Sequence, residues 1–226
     1  MKILEKQGWH LGYVLVFLLL FIIILPTGNY LDGILFGLTT QFWTITAIAI
    51  GILHQVYVLI CWRFELKYRW VTNKWGPNGF KLYVVGFFIL FTGRIISIIF
   101  VAIGNRQSLD VTPVILYILA GIITFPMAFA MYSVVRYFGV YRAAGADHFD
   151  PAYQEKPFER RGIYKYTKNG MYIYALLIIW IPGLVFASKT ALFLALFNQV
   201  YVWVHYFTLE LPDMRRIYKN KSKNRI

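Results

Sequence analysis

The chain has 226 residues, of which 59% are hydrophobic and only 15% charged, so it is far more apolar than a soluble domain. Its net charge of +13 does not indicate a nucleic-acid partner, because the basic residues stand between long apolar runs and not on a polar surface. The single cysteine, Cys61, excludes an internal disulfide. We therefore expect one membrane domain over residues 1–226.

Apolar runs follow one another at about 11–26, 42–62, 82–103, 113–135, 171–187 and 190–208. Each is near the roughly 20 residues that a helix needs to cross a bilayer, and none alternates polar and apolar residues like a barrel strand. The last two runs are short, and we expect them to form a helical hairpin that turns at Ala187-Ser188-Lys189. The sequence thus predicts an all-α, polytopic membrane bundle of about six spans.

The basic residues predict how these spans are oriented. Twenty of the 23 Lys and Arg residues fall in the N-terminal segment, in the connections after spans two and four, and in the C-terminal tail. This bias predicts that both termini are cytoplasmic. Lys2 and Lys6 precede the first run as in a signal peptide, but no small-x-small cleavage site follows Leu25, so we expect the first helix to be retained.

Two clusters of polar residues lie at the predicted inner ends of spans two and four. Arg63-Phe64-Glu65 can be read as a stop-transfer cluster, yet Glu65 gains nothing from anionic head groups and could hold a polar ligand. In Arg136 to Arg142, the tyrosines suit interface anchors, while Gly139 permits a close approach of backbone to ligand. Both interpretations stay open on these residues alone.

Two further clusters flank the predicted hairpin. Asn169 and Gly170 precede span five, where free backbone N–H groups could receive a carboxylate or where Asn169 could serve as an ordinary cap. Glu210 follows span six, between His205 and Asp213, on the unfavourable side of the helix dipole. That cost favours a functional role for Glu210, although an ion pair with a nearby arginine would also explain it.

No cluster of histidines and cysteines suits a metal, and neither a phosphate-binding glycine loop nor a nucleophile elbow is present. Any chemistry would therefore depend on a reactive cosubstrate that the protein positions.

The four clusters, in this order, resemble the phospholipid methyltransferase family, relatives of phosphatidylethanolamine N-methyltransferase within the isoprenylcysteine carboxyl methyltransferase superfamily. The resemblance covers about 54–218. Gly170 stands where the family usually has proline, and Leu211 where many members have a second glutamate. The matching segments are Arg63-x-Glu65, Tyr137-Phe138-Gly139-Val140, Asn169-Gly170-Met171-Tyr172 and Glu210-Leu211-Pro212 followed by Ile217-Tyr218.

The resemblance implies transfer of a methyl group from S-adenosylmethionine to a lipid head group, in a pocket at the cytoplasmic membrane face. Glu210 would accept the proton of the lipid amine or hold the ammonium of the donor, with His148 and His205 as further candidates for proton transfer. Arg63 would bind the lipid phosphate beside Glu65. The expected donor-binding residues are Tyr137, Gly139, Asn169, Gly170, Tyr172 and Glu210.

Three other functions remain open at this point. A related methyltransferase could act on a prenylated carboxylate or a small thiol, which needs no base to deprotonate an amine. Membrane sterol reductases resemble this superfamily in their C-terminal helices and would bind NADPH. A non-catalytic protein could use the basic residues to bind anionic lipid. The oligomeric state and the membrane, whether a bacterial or archaeal plasma membrane or the endoplasmic reticulum, stay undetermined.

Overall fold

The computed structural model describes residues 2–218, which form helices and one short hairpin. The α-helices are α1 (Gln7–Ile24), α2 (Thr40–Tyr68), α3 (Trp70–Trp75), α4 (Gly79–Gly104), α5 (Pro113–Ser133), α6 (Val140–Ala143), α7 (Pro151–Gln154), α8 (Gly170–Ile173), α9 (Ile181–Val185), α10 (Lys189–His205) and α11 (Leu211–Ile217). The 3-10 helices are Gly76–Asn78, Ala146–His148, Gly162–Lys165 and Ala175–Ile179, and the π-helices are Val134–Phe138 and Tyr206–Glu210. Strands β1 (Ile34–Leu35) and β2 (Leu38–Thr39) pair antiparallel.

The helical content confirms the predicted all-α class, and five helical stretches of the described chain are long and apolar enough to cross a membrane. We therefore treat the protein as an integral membrane protein. These stretches are Gln7–Ile24, Thr40–Tyr68, Trp70–Gly104, Pro113–Phe138 and Lys189–Ile217.

The predicted fifth span, 171–187, is apolar but is not one long helix. It consists of α8, the 3-10 helix Ala175–Ile179 and α9. Pro182 has no amide hydrogen, so it cannot donate to the carbonyl of Ile178 as a continuous α-helix would require. Gly170–Val185 is thus a shorter, broken apolar segment, and the predicted fifth span has no continuous helix to match it.

The turn of the predicted hairpin lies where the sequence places it. Ala187 adopts a φ of 51°, and Ser188 is the N-cap of α10, its hydroxyl accepting a hydrogen bond from the amide of Ala191 at 3.2 Å. Serine is a favoured N-cap residue because its short side chain reaches the free amides of the first turn. Segment Gly170–Val185 therefore packs back against α10.

The core lies between α1, α2, α4 and α10. The rings of Phe17 and Phe197 pack at a tilt with their centroids 4.1 Å apart, and Ile98 of α4 is fully buried in the same cluster. One cation lies in this apolar region: Arg94 donates from Nε to Asn198 Oδ1 at 2.9 Å and approaches His54 Nδ1 at 3.1 Å. Such partners reduce the cost of burying a charge at bilayer depth.

The two ends of the described chain meet at one end of the bundle. Gln7 donates to the carbonyl of Thr208 at 3.3 Å, and Arg216 forms an ion pair with Glu5. The even number of crossings and the cytoplasmic location of that end stay predictions. At the opposite end the hairpin of β1 and β2 lies in the connection between α1 and α2.

Candidate active site

A cavity of about 790 Å³ opens at the end of the bundle where the chain ends meet. Its walls come from the end of α2, from the connection between α5 and α8, and from the region around Glu210. Many of the wall residues are aromatic, namely Trp62, Phe138, Phe158, Tyr164, Tyr166, Tyr172 and Tyr206. The polar and charged residues of the wall include Arg142, Asp147, His148, Glu159, Arg160, Lys165, Lys168, Asn169 and Glu210.

Two π-helices border this cavity. Val134–Phe138 ends α5 and contributes Phe138, while Tyr206–Glu210 ends α10 and contributes Tyr206 and Glu210. A π-turn adds one residue to the helical repeat and so changes the face to which the following side chains point, a feature frequent at functional sites.

Pro212 explains part of the geometry beyond the second π-helix. Since proline has no amide hydrogen, the carbonyl of Thr208 four residues earlier receives no helical hydrogen bond from it. That carbonyl instead accepts from Arg63 Nη2 at 3.2 Å and from the side chain of Gln7 at 3.3 Å. The proline thus creates an acceptor that joins α1 and α2 to the end of α10.

Glu210 and Tyr172, two of the predicted site residues, lie together on the cavity wall. The Tyr172 hydroxyl donates a hydrogen bond to Glu210 Oε2. The two residues are 38 positions apart in sequence, and the return of the hairpin brings them together. The pair places one carboxylate among aromatic rings, an arrangement suited to a cation.

His148 is the second predicted proton-transfer residue on the wall. Its ring stacks on Trp62 with centroids 3.8 Å apart, and Nδ1 lies 3.2 Å from the carbonyl of Gly145. Its Nε2 lies 3.7 Å from Asp213 Oδ2. A proton on either ring nitrogen therefore has an oxygen acceptor nearby.

His205, the third candidate, does not line the cavity. It is buried behind Trp62, whose ring it meets edge-on with centroids 5.4 Å apart, and its Nδ1 has no hydrogen-bond partner among residues 2–218. Direct contact with a ligand in the cavity would require Trp62 to move.

Arg63 contacts other protein groups and not the cavity. Its Nε lies 3.0 Å from Asp213 Oδ2, both side chains are fully buried, and Nη1 donates to the carbonyl of Lys2 at 3.2 Å. With its guanidinium directed to these groups, it has no free face for a lipid phosphate. We therefore replace the expected substrate contact of Arg63 with a structural role.

Glu65 likewise has a local structural role. Its Oε2 accepts hydrogen bonds from the amides of Val71 at 2.9 Å and Thr72 at 3.0 Å, and its Oε1 accepts from the Thr72 hydroxyl. The side chain is fully buried and lies 3.7 Å from the Nε of Arg69. Glu65 thus satisfies the first amides of α3, and the substrate contact expected for it is not part of our proposal.

The residues expected to hold the donor divide into two groups. Asn169 and Tyr172 line the cavity. Gly170 lies just outside it, packed against Ile163, so that a Cβ would come within 2.7 Å of that side chain. Because α8 has only four residues, its dipole is too weak for the carboxylate site that the sequence suggested.

Tyr137 and Gly139 lie on either side of the wall residue Phe138. The Tyr137 ring faces outward against the guanidinium of Arg161, 5.1 Å from the ring centroid. Gly139 has a φ of 94° and turns the chain from the π-helix into α6, a conformation that favours glycine. Both residues position Phe138 without lining the cavity themselves.

Tyr164 is a wall residue that the sequence analysis did not select. Its ring stacks on Phe138 with centroids 5.1 Å apart, and its hydroxyl is buried with no hydrogen-bond partner among the described residues. Burial raises the pKa of Tyr164, and the carboxylates of Glu210 and Glu159 raise it further, so the hydroxyl stays a donor. No periodic signal in the basic segment around Tyr164 distinguishes it from an interface anchor.

A second missed group surrounds Arg142. Its Nη2 lies 3.3 Å from Asp147 Oδ1, and Nη1 donates to the carbonyl of Pro157 at 2.8 Å. The Tyr218 hydroxyl also donates to Asp147, and burial raises the pKa of Tyr218 to about 12. This group ties the end of α11 to the connection before Phe158. Residues 2–218 contain no group of three or more His, Cys, Asp and Glu that could hold a metal.

The model of the phospholipid methyltransferase family matches residues 115–221 of this chain. The match confirms the predicted resemblance and includes Gly139, Asn169 and Glu210, but Arg63 and Glu65 lie outside it. No curated protein and no solved structure matches the chain.

Proposed function

We propose that the protein transfers a methyl group from S-adenosylmethionine to the head-group amine of a membrane phospholipid, phosphatidylethanolamine or its methylated derivatives. The observation that supports this most is the Glu210–Tyr172 pair, which lies in an aromatic cavity within the residues that match a methyltransferase family. The family match supports methyl transfer itself, and we add the donor and the acceptor as part of this proposal.

The wall chemistry suits both reactants. A sulfonium donor and an ammonium acceptor are cations, and aromatic faces with one carboxylate attract cations when water is excluded. The bound donor would supply a methyl carbon that the adjacent sulfonium has already activated. The protein then has to align the two reactants and keep water out, which the walls of a closed cavity can do.

Glu210 is our first candidate for handling the proton of the acceptor. The phospholipid ammonium must lose a proton before its nitrogen forms a bond to the methyl carbon and the bond from that carbon to sulfur breaks. Glu210 would accept this proton, or it would hold the ammonium while His148 accepts it, because both line the same cavity. Asp213, 3.7 Å from His148 Nε2, would stabilise the charged imidazole.

Asn169 and Tyr172 remain the proposed donor contacts, since their side chains line the cavity. Tyr137, Gly139 and Gly170 act indirectly in this proposal, by fixing Phe138 and α8. His205 would hold Trp62 in place through their edge-on contact. The basic residues at this end of the bundle favour a cytoplasmic cavity mouth, where a water-soluble donor can enter while a lipid enters between helices.

Transfer of a radiolabelled methyl group, measured with detergent-purified protein and phosphatidylethanolamine in mixed micelles, tests the proposal. We expect labelled lipid from the wild-type chain and at least about 100-fold less from Glu210→Gln, the usual loss when a proton-transfer group is removed. Lys67→Gln, at an exposed position away from the cavity, is the matched control and should keep the wild-type rate.

Parallel reactions separate the other candidate functions. Labelling of a prenylated cysteine carboxylate or of a small thiol, but not of the phospholipid, would change the acceptor and keep the donor. Oxidation of NADPH with a sterol, without methyl transfer, would replace the proposal by a reductase. A folded protein that shows neither reaction but binds anionic vesicles would support the non-catalytic alternative.

A further inference from the structure

The mouth of the cavity carries three exposed cations, Arg160, Lys165 and Lys168. All three lie in the connection between α7 and α8. Their side chains form no ion pair or cation–π contact within residues 2–218, unlike Arg142 and Arg161 of the same region. They are therefore available to a ligand at the mouth.

The acidic residues of the cavity wall do not neutralise these cations. Asp147 is paired with Arg142, and Glu159 is paired with Arg161 at 2.8 Å. Glu159 also accepts hydrogen bonds from the amides of residues 160 and 161, and the Arg161 side chain is the main reason why its pKa is lowered to about 2. Glu210, bonded to Tyr172, lies on the wall without a cationic partner within the described residues.

The segment that carries the three cations is held to the bundle on both sides of Arg160 and just before Lys165. Arg142 donates to the carbonyls of Lys156 and Pro157, at 3.3 and 2.8 Å, which holds the start of the segment. The Ser133 hydroxyl accepts from the amide of Ile163 at 2.9 Å. Gly162, with a φ of 59°, packs so closely on Ser133 that a side chain would collide with it. The cations thus stand on an anchored backbone.

The cavity is therefore polarised: Glu210 is the wall carboxylate without a cationic partner among residues 2–218, and the mouth carries unpaired positive charge. A ligand that carries an ammonium and, a few bonds away, a phosphate complements this arrangement. Lysine and arginine are the common protein partners of phosphate oxygens. Arg63, the phosphate contact expected from the sequence, is buried against Asp213 and leaves that role vacant.

We propose that Arg160, Lys165 and Lys168 form an anion site that binds the phosphate of the acceptor lipid and directs its amine towards Glu210. This inference rests on the proposed function and assigns to these three residues the recognition of the phosphodiester in the lipid head group. The site favours a phospholipid over a long-chain amine that lacks phosphate, because only the phospholipid has a phosphate that neutralises the positive charge at the cavity mouth.

The test compares two triple variants in nonionic micelles that contain short-chain phosphatidylethanolamine and no anionic lipid. Arg160→Gln, Lys165→Gln and Lys168→Gln together remove the proposed site. Lys67→Gln, Lys74→Gln and Lys81→Gln together remove three exposed charges that do not line the cavity and serve as the matched control.

We expect the first triple variant to raise KM for the lipid about tenfold, because each exposed contact contributes modestly, with kcat within about twofold of wild type. The control triple should leave KM unchanged. Added salt should raise KM of the wild-type protein more than that of the first triple variant. Inorganic phosphate and phosphoethanolamine should inhibit the wild-type protein in competition with the lipid. This inhibition should be lost in the first triple variant.

Three outcomes would overturn the inference. Equal changes of KM in both triple variants would assign the cations to the general lipid surface. Weaker binding of S-adenosylhomocysteine in the first triple variant, with an unchanged KM for lipid, would assign them to the donor carboxylate. Equal rates on a phosphate-free long-chain amine would remove the recognition of the phosphodiester. Absence of methyl transfer in the wild-type protein would instead reject the proposed function, so the two failures are distinguishable.

Discussion

At the end of the bundle opposite the cavity, Asn105 joins three segments of the chain, whereas the cavity end leaves buried polar atoms without partners. Asn105 Oδ1 accepts from the hydroxyls of Ser108 at 2.7 Å and Ser188 at 3.1 Å, and Nδ2 donates to the carbonyls of Asn29 and Asp32, both at 2.9 Å. At the cavity end, the Tyr164 hydroxyl and His148 Nε2 have no hydrogen-bond partner among the described residues.

This difference distinguishes polar groups that stabilise the fold from polar groups that are available to a ligand. A buried polar group that lacks a partner costs roughly 1–3 kcal/mol, and a fold retains such groups where a ligand or water supplies the bond. The Asn105 end has its groups satisfied and needs no ligand. At the cavity end, the supporting groups Arg63 and Asp213 are joined as an ion pair, while the wall groups are open. Substitutions at the two ends should therefore affect different properties.

The largest effect on stability is expected where the cavity end is held together. Arg63→Met leaves Asp213 buried with Arg216 as its remaining ion-pair partner, and breaking a buried pair typically costs about 3–5 kcal/mol. We expect that loss in the free energy of unfolding, measured by circular dichroism in detergent. Arg69→Met removes an exposed partner of Glu65 and should cost less than about 1 kcal/mol. Equal losses in the two variants would contradict the role given to Arg63.

At the opposite end, Asn105→Ala should destabilise the protein without affecting the cavity. It removes the shared partner of Ser108 and Ser188, and we expect a loss of about 2–3 kcal/mol in the same unfolding measurement. The Kd for S-adenosylhomocysteine should not change. Asn73→Ala, which removes one exposed hydrogen bond to the carbonyl of Tyr68, is the control and should have little effect. A weaker ligand affinity in Asn105→Ala would show that the two ends are not independent.

A smaller effect, of the opposite kind, is expected for Tyr164→Phe. The substitution keeps the stack on Phe138 and removes the hydroxyl that lacks a partner. Ligand affinity should fall about three- to tenfold, as for one neutral hydrogen bond, while stability stays equal or rises slightly. Tyr141→Phe, at an exposed position away from the wall, serves as control. An unchanged affinity would mean that the ligand does not reach the Tyr164 hydroxyl.

The smallest effect concerns pH at the cavity mouth. Since the Arg161 guanidinium and two backbone amides hold the pKa of Glu159 at about 2, the Glu159–Arg161 pair is fully formed above the ordinary carboxyl pKa and is lost only as pH falls towards 2. Between pH 5 and 9 Glu159 should therefore contribute no titration to the rate. Glu159→Gln should leave the acid limb of the pH–rate profile in place, as should the control Glu155→Gln. A shifted limb in Glu159→Gln alone would contradict this.

Sequence patterns predicted the elements that depend on interactions between residues close together in the chain. Apolar run length located α1, α2, α4, α5 and α10, and a serine at the turn located the start of α10. The predicted hairpin brings its first and last residues to the same end of the bundle. It therefore predicted that Asn169 and Tyr172 lie near Glu210.

Contacts between distant segments could not be predicted in the same way. The pairing of Arg63 with Asp213 joins residues 150 positions apart and depends on how α2 packs against the end of α10. Nothing in either local pattern distinguishes it from a cation that extends to the membrane surface. The cap that Glu65 forms on α3 is different, because Thr72 lies only seven positions later. A search for helix starts near charged residues would have found that contact.

Calorimetric titration of S-adenosylhomocysteine into the detergent-purified protein tests the central claim most directly, with Glu210→Ala and Asn105→Ala measured alongside. The account predicts saturable binding to the wild-type chain, clearly weaker binding to Glu210→Ala, and wild-type affinity in Asn105→Ala. Absence of binding in folded wild-type protein, or equal affinity in Glu210→Ala, would contradict the assignment of the cavity as the methyl-donor site.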